Sequence, residues 1–65
     1  MINKLSVYRK AKGINQKEFA KMLGIGLGTL SKWENPTFNL KELKVNQLKS
    51  ICESLNISLR DLIEL

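Results

Sequence analysis

Between Gln16 and Glu34 the chain sets hydrogen-bond donors at helical spacing around a glycine-rich turn. Gln16, Lys17 and Lys21 precede Gly24-Ile25-Gly26, and Leu27, Gly28, Thr29, Ser31 and Lys32 follow it. Ammonium, amide and hydroxyl groups of this kind bind anionic or acceptor-rich partners. They do not make a catalytic set. The chain has no His and one Cys, Cys52, and no Asp/Glu pair stands near the glycines. General acid–base chemistry by His, an internal disulfide and a Cys/His metal site are therefore excluded. The Gly24–Gly28 run is no phosphate loop, since no strand precedes it and no Gly-Lys-Ser/Thr follows.

The 65 residues carry 11 Lys+Arg against 6 Asp+Glu, a net charge of +5. The charge is uneven. Residues 1–33 hold seven cations against Glu18 alone, +6, and residues 34–65 hold four cations against five carboxylates, −1. A sequence pI near 9.7 is one footprint of a nucleic-acid binder. It also suits an acidic protein or an anionic membrane surface. A chain of this length buries only about 60% of the surface its unfolded form exposes, so one small domain, 1–65, is expected. No apolar run approaches a membrane span of about 20 residues, and no signal-peptide core is present. A cytoplasmic protein is the expectation.

The elements that must hold those donors are helices. A first helix is expected from about Asn3 to Lys12, with Leu5 and Tyr8 inward and Gly13 as its stop. Asn15 caps a second, with Glu18 at the third position as in a capping box. Its apolar face is Phe19, Ala20 and Leu23, and Gly24 ends it. A third starts at Gly26 or Leu27 and runs to Glu34, with Leu30 and Trp33 inward, before Asn35-Pro36 breaks it. Residues 35–44 read as a loop with a short helical turn, tucked onto the core by Phe38, Leu40 and Leu43. A fourth helix spans Val45–Leu55 with Val45, Leu48, Ile51, Cys52 and Leu55 on one stripe. Ser58, with Asp61, caps a fifth carrying Leu59, Leu62 and Ile63. No strand is expected, so the class is all-α with five helices. Cys52 reads as core.

Two helices crossing over a tight turn need a small residue where they touch, and Ala20 supplies it. The turn needs a residue free to take positive φ, and Gly24 supplies that. The helix–turn–helix unit covers about 16–35. Trp33 belongs to its core and is not a stacking platform.

Lys12-Gly13-Ile14-Asn15-Gln16, Glu18-Phe19-Ala20, Leu23-Gly24-Ile25 and Thr29-Leu30-Ser31-Lys32-Trp33-Glu34-Asn35 together resemble the Cro/CI-type (XRE-like) helix-turn-helix family of phage repressors and bacterial regulators. Leu55–Leu62 resembles that family's last helix. The resemblance covers nearly the whole chain and implies a compact lambda-repressor-like domain. It implies a sequence-specific regulator of transcription on double-stranded DNA, with repression the expected sign, whose third helix enters the major groove. It implies base reading by Leu27, Gly28, Ser31 and Lys32, with Lys32 donating to guanine and Leu27 touching a thymine methyl. It implies phosphate contacts from Arg9, Gln16, Lys17, Lys21 and Thr29, with Gln16 at a helix N-terminus. An ion pair of Arg9 with Glu34 is implied as well. No cofactor, metal or small-molecule ligand is implied, and no enzymatic activity.

The chain departs from that pattern. Gly26 stands where Ser or Thr often caps the reading helix, and Gly28 stands where a polar reader is usual. Either the backbone approaches DNA closely, or discrimination is modest and leans on DNA shape. A protein-interaction module that has lost DNA contact is the competing reading of those glycines. Asn35-Pro36 replaces the common Asn-Gly. A weak homodimer through the C-terminal region is expected, from half-site pairing and from the apolar Leu62-Ile63-Glu64-Leu65 tail.

Overall fold

A computed structural model describes residues 2–64, with side chains described for 3–63. Five α-helices follow one another: α1 Leu5–Ala11, α2 Gln16–Leu23, α3 Leu27–Glu34, α4 Val45–Leu55 and α5 Leu59–Leu62. A 3-10 turn, Leu40–Glu42, lies in the loop between α3 and α4. The all-α class holds, with one addition. Ile2–Asn3 (β1) and Ile63–Glu64 (β2) pair antiparallel, in register Ile2 with Glu64 and Asn3 with Ile63. Asn3 was expected inside the first helix and Ile63 inside the fifth, and both lie in this ribbon instead. Two residues per strand give no alternation to detect, so the pattern of the sequence is silent here.

Three helix ends are built alike. α1, α2 and α4 each close on a residue in the left-handed region: Gly13 at φ 71°, Gly24 at φ 69° and Asn56 at φ 54°. The next residue's N–H then bonds five residues back: Ile14 to Arg9 O, Ile25 to Ala20 O and Ile57 to Cys52 O, at 3.0–3.2 Å. These bonds satisfy carbonyls that a helix end leaves unpaired. The starts differ more. Asn15 Oδ1 accepts the Glu18 N–H at 2.8 Å. Ser58 and Asp61 exchange two bonds at 3.1 and 3.2 Å across the start of α5. Gly26 gives α3 no side-chain cap.

The core joins all of them. Leu5, Phe19, Leu30, Leu40, Ile51, Leu55 and Leu62 are fully enclosed, with Ala20, Trp33 and Ile63 nearly so. Each large side chain enclosed in this way contributes about 1.5–3 kcal/mol relative to exposure. Residues 35–44 form the expected loop, with Leu40 buried and Phe38 and Leu43 packed against the core. Val45 does not join the stripe. It heads α4 at 80% exposed, one turn beyond the reach of the core. Leu59 is also half out. The apolar tail is largely internal: Leu62 and Ile63 fill the molecule's own core. Leu65 lies outside the described residues.

Candidate nucleic-acid interface

α3 sits at the junction of α1 and α2. Ala20, 5% exposed, provides the close approach at the α2–α3 junction, and the left-handed Gly24 turns the chain between them. Leu30 and Trp33 anchor α3 inward. The opposite face carries Leu27, Gly28, Thr29, Ser31 and Lys32, all exposed. Lys17 and Lys21 are exposed on α2. Seven of the nine residues expected to touch a nucleic acid are thus exposed on these two packed helices: Lys17, Lys21, Leu27, Gly28, Thr29, Ser31 and Lys32.

Two residues expected at phosphates, Arg9 and Gln16, both meet Glu34, and the ion pair expected of Arg9 with Glu34 forms. Arg9 is buried, 7% exposed. Its Nε donates to Glu34 Oε2 at 2.6 Å and its Nη2 to Glu34 Oε1 at 3.2 Å. Its Nη1 donates to Ile14 O at 2.8 Å. Gln16 is half-buried, and its Nε2 donates to the same Glu34 Oε1 at 3.0 Å. A bidentate guanidinium–carboxylate pair is short and directional. Here it ties the end of α3 to α1 and to the start of α2. Arg9 thereby has little surface to offer a phosphate, and its work in the structure is to seat Glu34. One amide N–H of Gln16 remains beside the start of α2.

Lys32 lies in the last turn of α3, with Nζ 5.8 Å from the centroid of the Phe38 ring. A cation over an aromatic face at an exposed site is held by about 0.5–1 kcal/mol. That places the ammonium toward the loop 35–39, away from the helix start.

Gly26 and Gly28 have ordinary negative-φ backbones, and a Cβ built on either meets nothing within 4 Å. Neither glycine is demanded by the fold. The bare strip they leave beside Leu27, which is 49% exposed, lies at the N-terminal end of α3.

One residue escaped the sequence. Asn3 reaches the other end of α3, where its Nδ2 donates to Trp33 O at 2.7 Å. Its partners lie 30 to 35 residues away, so no local pattern announces it. Cys52 is half-buried, and burial first, then the charge of Asp61, pushes its thiol above the ordinary 9.0. Among the described residues no group of His, Cys, Asp and Glu is placed to hold a metal ion. No described helix is long and apolar enough to cross a membrane.

Comparison with known families agrees with this geometry. A family model of the Cro/C1-type helix-turn-helix DNA-binding domain matches residues 4–65. The chain belongs to that family, and is a DNA-binding domain of the regulator type. The family is generally non-enzymatic. Comparison with curated proteins gave no significant match.

Proposed function

We propose that this protein is a transcriptional regulator, acting as a repressor, that lays α3 in the major groove of double-stranded DNA in the cytoplasm of a prokaryotic or phage-infected cell. The observation that carries this reading is the exposed face of α3, seated by buried anchors and flanked by Lys17 and Lys21. An eight-residue helix is about 12 Å long, and the major groove is about 12 Å wide. Leu27 and Ser31 lie one turn apart on that face and reach base edges, with the flush backbone at Gly28 allowing close approach. Lys17, Lys21, Thr29 and the remaining N–H of Gln16 take phosphates. Lys32 swings from Phe38 to a phosphate or to a guanine at the groove's edge. Arg9 acts indirectly, by fixing Glu34. Selection of bound duplexes from a random pool tests this. Recovery of a consensus with discriminated positions supports it, and a pool unenriched over background contradicts it.

Pairing on two half-sites supports a weak homodimer through the C-terminal region. A groove between α4 and α5 is the surface that favours it. Its middle is apolar, around Leu48 and Leu59. Lys41 and Arg60 line one end, and Glu53 and Asp61, with Lys49 beside them, line the cleft that continues the other and leave it net acidic. A two-fold axis through the middle sets the basic end of each copy against the acidic end of the other, the self-complementarity an isologous contact requires. Sedimentation of wild type and of Leu59→Glu tests it. A concentration-dependent dimer lost in the variant is expected. A wild type that stays monomeric at high concentration, with one copy per operator, contradicts it.

A further inference from the structure

We infer that Asn3 is a positioning residue for DNA reading, one that sets the seating of α3 from its C-terminal end without touching DNA. The inference rests on the reading of α3 proposed above. The last carbonyls of a helix lack partners within it. In α3, Lys32 O accepts the Asn35 N–H at 3.2 Å, and Trp33 O is met by Asn3 Nδ2 at 2.7 Å. The same amide group stands 3.3 Å from Asn35 O and 3.3 Å from Phe38 O. Its Oδ1 faces the other way and accepts the Leu5 N–H at 3.0 Å. One short side chain therefore closes the start of α1, the end of α3 and the loop after it. Only a group with donor and acceptor on one planar head does all of this, which fits Asn and no smaller polar residue.

Asn3 is itself pinned. Its backbone pairs with Ile63 in the ribbon, and the next N–H, that of Lys4, donates to Leu62 O at 3.2 Å. The path runs from the C-terminal strand through Asn3 to α3. The opposite end of α3 has no such hold, because Gly26 offers no side-chain cap. Side-chain hydrogen bonds thus hold α3 at its C-terminal end, by Glu34 on Arg9 and by Asn3 on Trp33 O, while its N-terminal end rests on the Gly24–Gly26 turn and on packing against α2. A rotation of about 5° about the C-terminal end moves the N-terminal turn by about 1 Å over a length of about 12 Å. That shift is enough to spoil base contacts, and it leaves the exposed lysines in place.

Two substitutions separate this role from plain capping of α1. Asn3→Asp keeps the acceptor that Leu5 needs and replaces the donor head with an oxygen facing three carbonyls. Asn3→Ala loses both. Three quantities are read on each: affinity for the selected duplex over a scrambled duplex, the slope of binding against salt, and amide exchange at Leu30–Glu34 in the free protein. The expected result is that Asn3→Asp lowers the affinity ratio about tenfold, the size of losing one base contact. Affinity for the scrambled duplex and the salt slope stay as in wild type, and exchange at Leu30–Glu34 quickens. An Asn3→Asp protein with wild-type ratio and wild-type exchange overturns the inference, leaving Asn3 a cap of α1. If wild type binds no duplex, the reading of α3 fails, and the exchange data still decide whether Asn3 clamps the helix. Should both variants unfold, exchange of the Asn3 side-chain amide protons in wild type decides. Protection supports the clamp, and exchange at the solvent rate overturns it.

Discussion

Arg9 and Glu34 are 25 residues apart in sequence and 2.6 Å apart in space, Nε to Oε2, with both side chains under 10% exposed. The pair joins the first helix to the last residue of α3. Removing one partner strands a buried charge, which costs about 3–5 kcal/mol. A domain of this length has roughly 3–10 kcal/mol in all. Glu34→Ala should therefore lose a large share of that stability and melt far below wild type by circular dichroism. Arg9→Met with Glu34→Leu, which removes both charges, should melt well above Glu34→Ala. A Glu34→Ala protein that melts within a few degrees of wild type would show the pair to be energetically idle.

Two glycines should respond in opposite directions to the same methyl. Gly28 lies inside α3 with open space around it, so Gly28→Ala gains up to about 1 kcal/mol of helix propensity. That raises Tm by about 4–8 °C for a domain of this size. Gly24 also has open space, but its φ of +69° costs an alanine about 1–2 kcal/mol. Thermal melts check the pair. If the helix backbone approaches DNA closely at Gly28, the more stable Gly28→Ala protein binds its duplex more weakly, and a titration at one salt concentration reads this.

Acid should loosen α5. The Ser58 backbone N–H, and then its hydroxyl, hold the Asp61 carboxyl below the ordinary 3.8. A carboxyl lowered in the fold contributes stability above its unfolded value and loses it as pH falls through the folded value. The urea midpoint of wild type should exceed that of Asp61→Asn near neutral pH. The gap should close in acid, below the ordinary carboxyl range. A gap that is constant across that range would mean the cap does not depend on the charge.

Much of the fold is legible in the residues because each signal is local. Gly13, Gly24 and Asn56 end helices by the conformation they take alone, and Asn15 and Ser58 begin them by bonds three residues on. The inward residues of α2 and α3 follow from a 3.6-residue period. What is not legible depends on distance in sequence. The ribbon is too short to carry a pattern, and Asn3 finds its acceptors only after α3 has packed. Val45 belongs to the apolar stripe by period and is exposed because α4 extends past the core. The Arg9–Glu34 pair follows from the family resemblance, whereas the bond from Gln16 to the same carboxylate joins residues 18 apart and no local pattern announces it.

The salt dependence of DNA binding tests the central claim most directly. With the two or three lysines of this face neutralising phosphates in each subunit, log K for the selected duplex should fall against log salt with a slope of roughly −2 to −3 per subunit. Lys17→Ala, Lys21→Ala and Lys32→Ala should each make that slope shallower by about 1 where the lysine meets a phosphate. Binding that is indifferent to salt, or no binding to any duplex, would contradict the account.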